Sequence, residues 1–177
     1  MLSHVTIKKL IGAKELVFIP AVAESDITRV GVHLHLAGEL LVIRSGQTVD
    51  LTAIGKVSYD AVVIPEEGYL LRPGDFVLGS TIEQCQYPRS IVAVIDGRST
   101  YARLGLTVHQ TAFVIDNNYE YPGGTVLEIK NEGPCNLILK VGMFIAMYHF
   151  FELSEPVLDT ANKKYHRQFG VRPAEDD

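Results

Sequence analysis

From about Val17 to Leu153 the chain is a succession of short apolar or alternating runs cut by Gly, Pro and Asn: VFIP, GVHLHLAG, LLVIRSGQ, YDAVVIPEEG, DFVLGST, SIVAVIDG, TAFVIDNN, GTVLEIKNEG, NLILKVG and FIAMYHFFEL. Strands at such intervals, with turn signals between them, predict an all-β sandwich or barrel. Gly-Asp, Asn-Glu-Gly and Pro-Gly serve as the turns. Two segments break the pattern. Ser3 to about Leu16 places Ile7, Leu10 and Ile11 on one face at helical spacing, with Ser3 as its cap. The stretch GRSTYARLG lacks alternation and predicts a short helix after a strand.

The 177 residues suffice for one domain with a sizeable core, and 47% hydrophobic against 21% charged residues describes a soluble globular chain. The net charge of −5 and the lack of a long basic run exclude a protein that coats nucleic acid. A nucleotide substrate stays open, because a few arginines hold a phosphate chain. Cys85 and Cys135 are far apart with no CxxC, which predicts a reduced, cytoplasmic setting without a disulfide framework. MLSHVTIKKL has no long apolar stretch, so no signal peptide is expected, and no apolar run has membrane-spanning length.

Residues 96–131 concentrate the chemistry. Glu128 sits among Val126, Leu127 and Ile129, in a strand position usually given to an apolar residue. A carboxylate there must be paired, protonated or catalytic. In the short helix, Ser99 lies at the start and Arg103 four residues on, along one face. Its first amides and the arginine then point at one place, an anion or polar-ligand site. The plainer alternative is that Ser99 caps the helix and Arg103 makes a surface ion pair. From Glu155 onward the chain is irregular, with Lys163, Lys164, His166, Arg167 and Arg172 before a Glu-Asp-Asp end. It is either a solvated tail or a flap that closes over a polyanion.

IKKLI, EGYLLRPGDFVLGSTIE (67–83), DGRSTYARLGLTVHQTA (96–112) and TVLEIKNEG (125–133) resemble the dCTP deaminase and dUTPase superfamily, and its deaminase branch in particular. The resemblance covers most of the chain. The Gly-Arg-Ser turn and Ile115-Asp116 are shared with the triphosphatases. It implies a mainly β fold: a distorted jelly-roll barrel with one N-terminal helix and short helical turns, all in a single domain over 1–177. It also implies a homotrimer with active sites at subunit interfaces.

Cytosine deamination needs water to attack C4 and ammonia to leave. A zinc-bound hydroxide is one solution, with HxE and PCxxC signatures. This chain has neither, and His33 and His35, alternating on a strand, lack an evident third ligand, so no zinc is expected. A protein base must then activate the water. Glu128 is the candidate, with burial raising its pKa and a nearby arginine restraining the rise. The resemblance gives Glu128 the proton-shuttle role. It implies that Ser99 and Arg103 support the water and the base, and that the Ala112 carbonyl helps hold the water.

For substrate binding, the resemblance implies that Arg98 contacts phosphate and Asp116 accepts the deoxyribose 3′-hydroxyl. Tyr119 would lie under the sugar, and Lys164 and Gln168 of the tail would contact the triphosphate. His109 and Thr111 match a pair linked to substrate closure and to inhibition by dTTP. Mg²⁺ would come in on the phosphates of dCTP or dUTP without a protein cage. Plainer roles stay open: a subunit ion pair for Arg98, a turn-holding Asp116, packing for Tyr119, an interior His109, and a Glu128 bound to a neighbouring cation.

The chain also departs from the family pattern. A Val-Asp-Leu-Arg-Leu motif reads Val32-His33-Leu34-His35-Leu36 here, and Asp-Pro-Gly-aromatic reads Asp116-Asn117-Asn118-Tyr119. The segment between Tyr119 and Glu128 is about two residues longer than the usual hairpin, which opens the register of Glu128 to a slip. Gln110 stands where valine is common. The leading expectation is deamination of dCTP to dUTP and ammonia. The alternatives are a dUTP pyrophosphatase, a bifunctional deaminase releasing dUMP and diphosphate, and a non-catalytic nucleotide-binding protein on the same scaffold.

Overall fold

The computed structural model describes residues 1–55, 57–116, 118–158 and 169–174. Helix α1 (His4–Gly12) leads into strand β1 (Val17–Ile19) and a 3-10 turn at Glu24–Asp26. The strands that follow are β2 (Val32–His35), β3 (Glu39–Ile43), β4 (Tyr59–Val63), β5 (Tyr69–Leu71), β6 (Phe76–Ser80), β7 (Gln84–Gln86) and β8 (Ile91–Gly97). The one-turn helix α2 (Ser99–Ala102) precedes β9 (Leu106–Thr107), β10 (Val114–Ile115), β11 (Val126–Asn131), β12 (Leu137–Leu139) and β13 (Phe144–Glu152).

Two larger sheets carry the fold, one ordered β10-β8-β13-β2 and the other β4-β3-β6-β11-β9, flanked by the pairs β1-β7 and β12-β5. The strand pairings are antiparallel, including the long β13–β8 ladder from Ala146↔Gly97 to Glu152↔Ile91. The chain is therefore mainly β, of the expected jelly-roll type. Three-residue strands β5 and β7 and the two-residue β9 were not expected, because runs so short carry no readable alternation.

The helix is shorter than its periodicity predicts. It stops at Gly12, and the chain turns through Lys14 at φ +58°. Leu16, expected near the helix end, is instead a core residue beyond the turn, with its amide on the Leu10 carbonyl. Ser3 occupies the N-cap, but its side chain makes no capping bond; its carbonyl accepts the Ile7 amide.

Alternation decides what is inside. On β11, Leu127, Ile129 and Asn131 are fully buried, while Val126, Glu128 and Lys130 are half-buried on the opposite face. Tyr87, Tyr148, Phe150 and Phe18 meet edge to face in the core. The buried phenols are satisfied: Tyr87 donates to the Ile115 carbonyl, and Tyr148 pairs with the Thr125 hydroxyl. Gly79 of β6 has no room for a side chain, since a Cβ there would lie 2.9 Å from the Ile129 Cδ1.

Asn131 closes one end of the barrel. Its Nδ2 donates to the carbonyls of Leu71 and Cys135, and its Oδ1 accepts the Gly133 amide. The turn it shapes abuts Gly105 (φ +89°), where a Cβ would come within 2.2 Å of the Gly133 nitrogen. Asn131→Ala removes the side-chain partner of three backbone groups, the Leu71 carbonyl buried and the other two part-buried. The expected cost is about 1–3 kcal/mol of stability, read by denaturant unfolding.

Candidate functional site

The outer face of β11 opens onto a cleft of about 420 Å³. Its walls include Leu78, Ala112, Asp116, Thr125, Glu128 and Arg172. Glu128 is thus not in the interior, as its apolar neighbours suggested. Period two turns Leu127 and Ile129 inward and the carboxylate toward the cleft. The register that achieves this pairs Glu128 with Leu78 of β6.

A local departure from sheet pairing orients the carboxylate. Val108 still accepts the Glu128 amide at 3.0 Å, as a strand neighbour would. Two residues on, the Gln110 amide donates to Glu128 Oε2 at 2.7 Å instead of to a strand carbonyl. The Gln110 side chain braces this bend, its Nε2 reaching Thr107 Oγ1 at 3.0 Å and the Glu128 carbonyl at 3.3 Å. One carboxylate oxygen is therefore tied down, and Oε1 has no hydrogen-bond partner among the described residues. No Arg or Lys pairs with Glu128 among the described residues.

Asp116 follows β10 and is exposed in the same cleft. Its charge adds to burial in raising the pKa of Tyr119. Tyr119 packs edge-on against Tyr87, ring centroids 5.3 Å apart, and is not among the cleft's lining residues. The longer segment before Glu128 is absorbed in a pinned loop. Buried Asn118 donates from Nδ2 to the Gly123 carbonyl at 3.1 Å, and Gly123 exchanges two backbone bonds with Cys85. β11 beyond this loop pairs with β6 with Glu128 opposite Leu78.

The second group of expected site residues lies elsewhere. Ser99 and Arg103 are exposed at either end of α2, outside the cleft, and Arg103 makes no ion pair among the described residues. Arg98, the residue before α2, is half-buried. Its guanidinium lies over the rings of Tyr101 (4.9 Å) and Phe144 (5.0 Å) and donates to the Tyr101 hydroxyl at 3.0 Å. Thr111 is exposed. His109 has a buried Nδ1 without a partner among the described residues, and its ring is 6.1 Å from that of Phe113. Lys164 and Gln168 lie outside the described residues.

A family model described as dCTP deaminase-like matches residues 1–153. The chain belongs to the dCTP deaminase-like family. It is 35% identical over 188 residues to a dCTP deaminase of Buchnera aphidicola subsp. Schizaphis graminum, covering 98% of this chain and 96% of that protein. It is 34% identical to a dUMP-forming dCTP deaminase of Dictyoglomus turgidum, over 96% of this chain and 91% of the relative. A solved 2′-deoxycytidine 5′-triphosphate deaminase from Agrobacterium tumefaciens shares the fold, with a TM-score of 0.62 at 16% identity. That match covers 84% of this chain and 46% of the other, so the chain spans about half the length of that structure.

Sequence reasoning missed three contributors to the site. Arg172 figured only as one of the tail's charges, yet it lines the cleft with Asp116 and Glu128. The adjoining Ala174 amide meets the Tyr59 hydroxyl at 3.4 Å. Gln110 figured as a departure from valine, yet its backbone amide holds the carboxylate, a role no side-chain pattern announces. Asn118 carried a signal, since an Asn ahead of an aromatic in a turn often bonds backbone nearby. Asn118→Ala is expected to lower stability by about 1–3 kcal/mol in denaturant unfolding and to speed hydrogen exchange at Gly123.

Proposed function

We propose that this member of the dCTP deaminase-like family hydrolyses dCTP to dUTP and ammonia, with Glu128 moving the protons. The orientation of Glu128 carries the reading: a carboxylate with one oxygen fixed by an amide and the other free in a cleft shared with Asp116 and Ala112. Water adds to cytosine C4 as Glu128 accepts its proton. That proton goes to N3; Glu128 then carries the C4 hydroxyl proton to the N4 amine, the C4–N4 bond breaks as the C4 carbonyl forms, and ammonia leaves. The names of the full-length relatives support this substrate.

Asp116 accepts the deoxyribose 3′-hydroxyl, and the Ala112 carbonyl holds the attacking water. Tyr119 flanks the sugar from its packing place on Tyr87. Arg98, with Lys164 and Gln168 of the tail, holds the triphosphate, and Mg²⁺ arrives bound to it. His109 and Thr111 report closure and bind the response to dTTP.

Ser99 and Arg103 complete the site from another copy of the chain, in a homotrimer. Their exposure outside the cleft supports this, as do exposed Leu104, Phe113 and Val114 beside them and beside the cleft, at 48%, 47% and 50% accessibility. Residues 155–177 form a closing segment of the one domain, and the presence of Arg172 and Ala174 at the cleft supports it. The setting is cytoplasmic, supported by Cys85 and Cys135 as free thiols.

A second reading has a specific basis. Asp116 stands in the same cleft as a further carboxylate, and one relative is named dUMP-forming. Water activated by Asp116 at the α-phosphate would release dUMP and diphosphate.

Purified protein with Mg²⁺ and dCTP, resolved by chromatography, is expected to yield dUTP and ammonia. The appearance of dUMP establishes the combined reaction. Use of dUTP alone overturns the deaminase reading, and nucleotide binding without product leaves a binding protein. Glu128→Gln is expected to cut ammonia release about 10²–10⁴-fold while dCTP still raises the melting temperature. Full turnover in that variant removes Glu128 from its role. Asp116→Asn is expected to weaken dCTP use, and wild-type kinetics would refute its contact with the sugar.

A further inference from the structure

The two histidines that depart from the family pattern form a side-chain cluster next to Arg98. His33 and His35 project from the same face of β2 toward Asp26, whose Oδ1 lies 4.0 Å from His33 Nδ1 and 3.9 Å from His35 Nε2. His35 is locked: buried Glu83 takes its Nδ1 at 2.6 Å and its backbone amide at 2.8 Å. His33 has no such bond. Its ring stacks on Phe144 at 3.6 Å between centroids and 24° between planes. The Arg98 guanidinium sits over that same Phe144 ring.

We propose that His33 is a positioning residue for Arg98, acting through Phe144, and that its protonation loosens the grip of Arg98 on the substrate's phosphates. This rests on the phosphate role given to Arg98 above. The ring faces of Phe144 are the link. A neutral imidazole stacked on the ring leaves its π-cloud free to hold the guanidinium. A protonated one draws on the same π-cloud and adds a second cation beside Arg98.

The charges around His33 set the direction of the switch. Asp26 faces it from the 3-10 turn, His35 from its own strand with Glu83 behind, and Arg98 from the segment ahead of α2. From β13 come Phe144 and Met147, and the Asp96 paired with Met147 in register points to His149 at 3.9 Å. Burial lowers the pKa of His33 first; Asp26 opposes this, while His35 and Arg98 reinforce it. The neutral form of His33 is therefore favoured over that of a free imidazole, and protonation comes at lower pH.

The test combines a titration with steady-state kinetics on the full chain. The His33 ring proton, followed by NMR, is expected to titrate at higher pH in Arg98→Gln than in wild type, because a repelling charge has gone. An unmoved titration overturns the coupling. In kinetics, Phe144→Leu is expected to raise KM for dCTP about threefold to tenfold with kcat nearly unchanged. His33→Phe keeps a stacked ring without the proton, so the ratio of the wild-type KM to its KM is expected to climb as the pH falls from neutrality through the range in which the NMR titration shows His33 taking up its proton. Protonation of the nucleotide is common to both proteins and cancels. Identical pH profiles for wild type and His33→Phe overturn the proposal. A KM unchanged in Arg98→Gln fells instead the phosphate role of Arg98, and the catalytic consequence with it, even where the NMR coupling persists.

Discussion

The pairing of β11 with β6 is the constraint on which the site depends. With Glu128 opposite Leu78, the two-residue period sends Leu127, Ile129 and Asn131 into the core and Glu128 to the cleft. A slip by one residue would exchange the faces, burying a carboxylate and exposing two aliphatic side chains. Several contacts at both ends hold the register. Gly79 makes room for Ile129, Thr81 and Thr125 exchange hydrogen bonds, and Asn131 ties the far end to β5 and to the turn that follows. Sheet packing is thus also what aims the proposed base.

Within this frame the site divides into two parts of different character. The carboxylates Glu128 and Asp116 stand on or beside paired strands, where backbone bonds limit movement. Ser99 and Arg103 stand on a single helical turn that one chain leaves open to solvent. Reactive groups on a fixed frame gain because fixed dipoles need no rearrangement during the reaction. Exposed ones gain definition only from what packs against them.

The His33 and His35 cluster shows how a lost motif can be replaced by another arrangement. At the two positions where the resemblance implies an acid and a base, this strand carries two imidazoles that share Asp26 and lean on Glu83. His35 is held as a hydrogen-bonded fixture, while His33 makes an aromatic stack that ends at Arg98. The same residue type thus has two environments two positions apart, one hydrogen-bonded to a buried carboxylate and the other stacked on an aromatic ring.

Much of the fold was legible in the sequence because alternation and turn residues are local signals: ten expected runs coincide with strands, and the Gly-Arg-Ser segment with a short helix. The overlong α1 and the missed β5, β7 and β9 mark the limits of local signals. A helix end depends on what its last turn meets, and a two- or three-residue strand exists only because a partner lies beside it. The motifs likewise named Glu128, Asp116 and Ala112, which the fold gathers in one cleft. Sequence by itself could not say that Glu128 faces outward, that a Gln110 amide holds it, that Arg172 returns to the cleft, or that His33 reaches Arg98 through Phe144. Each of these joins residues distant in the chain, or turns on a register shift of one residue. Chemical identity is written position by position, whereas direction and distance are decided only when the sheets close.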